Sequence, residues 1–395
     1  MDGDALARDA AELVRVPSVT GDERAVLERL GELAAGYGLE AELHVHDLAA
    51  LRAHPDHPGE DAPRTELCGL TVTLPGEHPG RVCLNGHLDV VGVGSETWSD
   101  DPWSGRIADG WLQGRGSVDM KGGVTAALHA LLALRAGPEP APTVVLQAVA
   151  SEEDGGLGTF AALERDAAFD ACLIPEPTGF DIVCAHAGAL TFRATLRGRA
   201  AHAAMRLEGR SALDRYVAAH LSLQEHERAL NRDVSHPAMQ TLALPYPLSV
   251  GRIDGGEWSS SVPDRVVVEG RLGVPVGASL AAARSAFEAI LDDGEAPPAE
   301  VEWAGGQFAS GETDPTHPWV RTVAAAVGAE RGSARTTGMP YGADMRLFCA
   351  RGIPTVMVGT HGIEVAHAVD ERVSVDELAA TARIIVRAVR ELPAG

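Results

Sequence analysis

The sequence predicts an α/β protein in which a mostly parallel-sheet domain is interrupted by an α+β insertion. Two observations carry this: short apolar runs alternate with helix-like stretches from Arg81 onward and again near the end, whereas the middle runs alternate apolar with polar residues. RVCLNGHLD, TVVLQAVASEED, DACLIPEPT and GIPTVMVG each read as a buried strand closing in a polar, Gly-rich or Pro-bearing turn. Between the first two, KGGVTAALHALLALRAGP sets Val124, Leu128, Leu131 and Leu132 on one helical face, with Gly137-Pro138 as the stop signal. Strands alternating with helices give a largely parallel sheet, whose ligands bind beyond the carboxyl ends of the strands.

In the middle, ALTFRATLRG, LSVGRIDGG, RVVVEGRLGVPV and AEVEWAGG read as half-exposed antiparallel strands. SALDRYVAAHLSLQEHERAL and SLAAARSAFEAILDD are the helices between them. The order strand, helix, strand, strand, helix, strand is the split βαβ, ferredoxin-like pattern. The insertion is expected over 188–306, and 1–187 with 307–395 form the interrupted domain, which resumes with a helix near Pro318 to Glu330.

A chain of 395 residues has room for two or three domains. Its 33 Lys and Arg stand against 56 Asp and Glu, a net charge of −23 that repels phosphate backbones and anionic lipid. Neither a nucleic acid nor a membrane partner is expected. The five scattered cysteines, with no CxxC pair, read as reduced core thiols in a cytoplasm. The N-terminal stretch MDGDALARDAAELVRVPSV has no apolar run of signal-peptide length, and no segment approaches the ~20 apolar residues of a membrane span.

Metal-competent side chains stand near five predicted strand ends: His87 in NGHLDVV, Asp119 in GRGSVDMKGG, the pair Glu152-Glu153 in ASEEDGG, Glu176 in IPEPTG and His367 in VAHAVDE. One rim of one sheet would gather carboxylates that repel each other, and a bound cation explains their convergence. Two imidazoles and several carboxylates without a thiolate suit zinc, cobalt or manganese. The surplus of ligands over one tetrahedral ion suggests two ions sharing a bridging carboxylate, ~3.5–4 Å apart as in two-metal hydrolases. Neighbouring side chains in extended chain point opposite ways, so one Glu of the pair can hold metal while the other meets the attacking water. Asp89, two residues after His87, fits a partner that fixes the imidazole tautomer, or a turn-forming Asp.

The motifs NGHLDVV, GRGSVDMKGG, SEEDGG, PEPTG, GRAAHAA, GRIDGG followed by SVPD, and AHAVDERV, in that order, resemble the dinuclear-zinc amidohydrolase family. Its members include acetylornithine deacetylase, succinyl-diaminopimelate desuccinylase, aminoacylase and carboxypeptidase G; the likeness covers nearly the whole chain. The resemblance implies that Asp119 bridges two metals, with His87 and Glu176 completing one site and Glu153 and His367 the other. It implies Glu152 as general base and Asp89 as the residue orienting His87. The insertion would be a lid and dimer interface whose His202 stabilises the oxyanion, in its own subunit or across a dimer, and Arg271 would grip the substrate carboxylate.

Some positions depart from the family pattern. Ser260, in GGEWSSSVPD, stands about where relatives carry a substrate-holding Asn. GTHGIEVAH has Thr360 and His361 where relatives show GPG, and His361 reads equally as facing the substrate pocket or capping the loop. Asp344, in MPYGADMRLF, reads as the cap of the following helix or as a partner for a substrate amine. The expected activity is hydrolysis of an N-acyl amino acid, acetylornithine deacetylase-like first, with a homodimer of cytoplasmic location. Dipeptidase, carboxypeptidase, desuccinylase-like and specialised-pathway amidohydrolase activities are alternatives. A metal-binding protein without turnover is the rival of another class, opposed by the intact Glu152-Glu153 pair.

Overall fold

The Arg81–His87 run, buried from Val82 on, lies at the centre of a sheet because its residues are apolar or hydrogen-bonded on both faces. The computed structural model describes residues 2–294 and 297–393. Across this sheet the order is Glu40–Val45, Cys68–Leu74, Thr143–Val149, Arg81–His87, Ala171–Ile174, Thr355–Met357 and Ile182–His186. The four strands from Thr143–Val149 to Thr355–Met357 pair in parallel, and those flanking them pair antiparallel. The chain therefore leaves the parallel strands on one side: His87 ends one, Ser151-Glu152 follow another and Glu176 a third. The turn after Thr355–Met357 leads to His361 and His367.

Helices Gly3–Val14, Gly122–Ala136 and Val375–Arg390 pack against each other. Ser374 caps the last, accepting a hydrogen bond from Glu377 N at 3.4 Å; Asp376 and Glu377 occupy its first turn and Arg387 and Arg390 its last, complementing the helix dipole. A Cβ at Gly123, in the first turn of the Gly122–Ala136 helix, would lie 2.2 Å from the Pro175 carbonyl oxygen. Glycine there lets the helix that follows Asp119 approach the turn that carries Glu176.

The chain divides into two compact units. One comprises the residues up to Cys184, Glu312–Thr337 and those from Ala343 on, and the other Ala185–Gly311 with Gly338–Gly342. The second unit thus begins three residues before the expected insertion, ends five beyond it and includes a later turn. Its sheet runs Leu248–Gly255, Arg265–Val274, Gly188–Arg197, Glu300–Phe308, all antiparallel. With Ala212–Arg232 and Leu280–Leu291 between strands, this is the split βαβ order. Phe192, Leu223, Leu272 and Phe287 lie in its core, with the Phe192 and Phe287 ring centroids 4.4 Å apart.

The strands Glu40–Val45 and Cys68–Leu74, and a small sheet of Arg372–Ser374, Trp111–Gln113 and Arg106–Ala108, go beyond the elements read from sequence. Among the described residues, no helix is long and apolar enough to cross a membrane. All five cysteines are free, and four are buried.

Candidate metal centre

The first unit gathers the expected ligands around Asp119. Its Oδ1 lies 3.0 Å from His87 Nε2, and its Oδ2 lies 3.4 Å from His367 Nε2. Beyond them, Glu176 Oε1 is 3.8 Å from His87 Nε2 and Glu153 Oε1 is 3.2 Å from His367 Nε2. Asp119 thus stands between two pairs, each with one imidazole and one carboxylate. His87, Asp119 and Glu153 each offer a ligand atom, all within 4.8 Å of one another, and form a group able to hold a metal ion.

The electrostatics fit a cation site. Burial, reinforced by the charge of Asp119, raises Glu153 and pushes Glu176 up to about 8; burial also raises Glu152 well above the usual carboxylate range. Hydrogen bonds to Asp119 and Glu153 push His367 up to about 10. Burial works against charge on His87, but Asp119, Asp89 and Glu176 outweigh it and raise this group too. For Asp119 burial is outweighed by His367 and His87, which lower it. A divalent ion would supply the positive charge that these crowded carboxylates favour, and two imidazoles and three carboxylates suit such an ion.

Asp89 meets His87 through its main chain rather than through its carboxylate. His87 Nδ1 meets the Asp89 main-chain carbonyl at 2.9 Å, and the Asp89 carboxylate is farther, at 3.6 Å. That carboxylate instead accepts the N–H groups of Glu152 and Glu153, both at 3.1 Å, and the Thr20 hydroxyl at 3.1 Å. It fixes the turn bearing the Glu pair, because two converging N–H donors compete better for a carboxylate than one ring nitrogen already bonded to a carbonyl.

The same turn has two further anchors that sequence reasoning missed. Buried Arg64 lies 3.2 Å from both Glu23 and Asp154, and Asp154 also accepts the Ser151 hydroxyl. Buried Arg346 donates to the Gly155 carbonyl at 2.6 Å. Their only sequence signal is an Arg beside a turn or an apolar run. Burial and the nearby Asp89 charge push Glu23 up to about 7 from an ordinary 4.5. Between those values the folded chain keeps a proton that the unfolded chain has released, so this contribution to stability is fully present below about 4.5 and is lost as pH rises through about 7. Glu23→Gln in the metal-free protein is expected to flatten that slope, gaining on the wild type by up to about 3 kcal/mol between pH 5 and 8. Urea unfolding at both pH values checks this, and parallel slopes would refute it.

Asp344 lies at the N-terminal end of helix Met345–Cys349 but makes no side-chain cap. Its helical φ of −65° and ψ of −17° differ from the extended backbone that aims a cap at the free N–H groups. The carboxylate is buried instead, 3.8 Å from Arg346 Nη1. His361 is held to Glu377, through its Nδ1 at 2.9 Å and its main-chain N–H at 3.0 Å, and its ring packs edgewise on Phe180.

The second unit carries His202, Ser260 and Arg271, all exposed. His202 Nδ1 accepts the Ala204 N–H at 3.1 Å, which leaves the ring proton on Nε2 in the neutral tautomer. Ser260 is its neighbour through the Ala203 N–H donating to the Ser260 carbonyl at 2.9 Å. Arg271 lies on Arg265–Val274 with its guanidinium 5.9 Å from the Phe308 ring centroid.

Ligand side chains gathered around Asp119 from the turns that follow parallel strands, with the half-buried Glu152 beside one of them, form the arrangement of a metal-dependent hydrolase. Residues 83–391 match the description Peptidase family M20/M25/M40, and the chain belongs to this family. It is 31% identical to a protein named succinyl-diaminopimelate desuccinylase from Cereibacter sphaeroides, over 96% of this chain and 97% of that one. Identity to a protein of the same name from Methylobacterium radiotolerans is 34% over 213 residues, so the chain spans about half the length of that relative. An M20 family metallo-carboxypeptidase from Sulfolobus solfataricus shares the fold, with a TM-score of 0.78, 16% identity and 99% of each chain covered. So does an aminopeptidase from Bacillus cereus, with a TM-score of 0.76, 22% identity and 99% of each chain covered. The protein is a metal-dependent amidohydrolase.

Proposed function

We propose that the protein hydrolyses the amide bond of an N-acyl amino acid at a centre of two zinc ions, with cobalt as a substitute. The observation that carries this is the Asp119 carboxylate, whose two oxygens face different imidazoles, each accompanied by its own Glu. Bound divalent ions would polarise the scissile carbonyl and acidify water. His87 and Glu176 would hold one ion, Glu153 and His367 the other, with Asp119 shared.

Glu152 takes a proton from the attacking water and returns it to the leaving amine. Burial raises its affinity for a proton, which suits an acceptor that must hold the proton between the two halves of that cycle. Asp89 holds its main chain in place. His202, with its proton on Nε2, donates to the oxyanion, in the same chain or across a dimer, and Arg271 supplies a planar fork for a substrate carboxylate. Ser260 and His361 are assigned to the rim where substrate is read, and Asp344 to a substrate amine.

The names of the relatives favour an N-succinyl amino acid as the first candidate substrate, ahead of the N-acetylornithine-like one expected from sequence. A panel of N-succinyl, N-acetyl and N-formyl amino acids and dipeptides, with zinc- or cobalt-reconstituted enzyme, tests this by amine release. Turnover of the succinyl substrate at least tenfold above the others is expected; release from none would remove the hydrolase assignment.

The second unit supports a homodimer. Leu213, Val217 and Leu221, exposed at helical spacing on Ala212–Arg232, form an apolar stripe, and Leu248–Gly255 is an edge strand. A monomeric mass in solution would exclude this assembly. Free thiols and the acidic surface suit a reducing cytoplasm.

A further inference from the structure

Glu371 follows the candidate ligand His367 by four residues and is 1% exposed. Its two oxygens take four N–H donors. Oε1 accepts from Val118 at 2.9 Å and Asp119 at 3.2 Å, while Oε2 accepts from Gly116 at 3.0 Å and from Arg115 Nη1 at 2.7 Å. Arg115, also 1% exposed, directs Nη2 to the carbonyls of His367 at 3.2 Å and Gly92 at 3.3 Å. The main chain adds a third tie, the Gly114 N–H donating to the Glu371 carbonyl at 2.9 Å.

One buried ion pair thus holds the main chain of Asp119 with its acid and the main chain of His367 with its base. A carboxylate is the one side chain that accepts from this many converging donors without presenting a donor of its own. The guanidinium fork is needed because one arm serves Glu371 while the other serves two carbonyls, a division that a Lys ammonium reproduces poorly. Neither residue offers an atom to the ligand group, and burying an ion pair is weak evidence for a stability role alone.

We propose that Arg115 and Glu371 are positioning residues that set the separation between Asp119 and His367, and thereby the affinity of the metal position that uses His367. This rests on the two-ion reading above. Groups behind metal ligands are typically worth 10–100-fold in metal affinity. The position formed by His87 and Glu176 has no ligand other than Asp119 tied to this pair, so the effect is expected on one of two binding steps.

The test is stepwise titration of the metal-free full chain with zinc against a chromophoric chelator, with cobalt absorption as a second readout. Wild type, Glu371→Gln and Arg115→Lys are compared, each with its circular dichroism and thermal midpoint. The expected result is two ions in wild type and, in folded variants, one step unchanged and the other weakened about 10–100-fold. If Glu371→Gln does not fold, Arg115→Lys, which keeps the charge, carries the test. Folded variants with both steps unchanged, or both weakened alike, would overturn the proposal while leaving the two-ion reading intact. Fewer than two ions in wild type would overturn that reading and this proposal with it.

Discussion

Glu152→Gln is expected to keep the wild-type metal content while kcat falls by about 10²–10⁴-fold. The substitution preserves shape and removes the ability to accept and return a proton. Its main-chain N–H remains on Asp89, Asp154 stays on Arg64 and Gly155 on Arg346, so the turn has no reason to move. Adjacent Glu153 provides the contrast. Its carboxylate lies 3.2 Å from His367 Nε2 and within the ligand group, so Glu153→Gln is expected to lose metal as well as turnover. Metal content by elemental analysis beside steady-state kinetics separates the two. Near-wild-type kcat in Glu152→Gln would remove the general-base role, and lost metal in that variant would mean that the roles of the pair are exchanged.

The gathering of His87, Glu153 and Glu176 was readable from the rule that parallel strands bring the turns after them to one side, whereas Asp119 follows the small antiparallel sheet and the Glu pair lies in a turn, where the alternation of extended chain does not apply. The insertion was readable because its strands alternate in and out and its helices keep their apolar spacing. What supports the ligands was not readable. Glu371 meets Arg115 across 256 positions, and Arg64 meets Asp154 across 90; neither pairing leaves a periodic signal. Most of their other partners are main-chain N–H or C=O groups, which every sequence offers at every position. Asp89 shows the same limit. Its proximity to His87 in sequence suggested an imidazole clamp, whereas the folded chain brings two N–H groups of a turn 63 and 64 residues away to its carboxylate. Of the two readings of Asp344, the cap rests on a residue type that fits a helix start, and only the backbone angles show that the carboxylate is withdrawn beside Arg346.

Asp119→Asn is expected to abolish measurable turnover and to cost at least one bound ion, an effect that excess zinc does not repair. The carboxylate has an acceptor for each imidazole side, at 3.0 Å toward His87 and 3.4 Å toward His367. An amide keeps one acceptor and turns a donor toward the other side, where it opposes both an ion and an imidazole N–H. Asp119 charge also helps raise Glu153 and Glu176, so its loss eases their deprotonation, but this gain in ligand readiness does not replace the missing shared oxygen. The wild-type protein stripped by a chelator is the control. It too should lose turnover, yet should recover it when zinc is restored, because all five ligand side chains remain. Recovery should be better at pH 8 than at pH 6, since uptake must displace protons from Glu176, pushed up to about 8, and from His367, pushed up to about 10. If Asp119→Asn bound two ions with wild-type affinity, the carboxylate would not be shared, and the two pairs flanking it would have to be reassigned to a single ion.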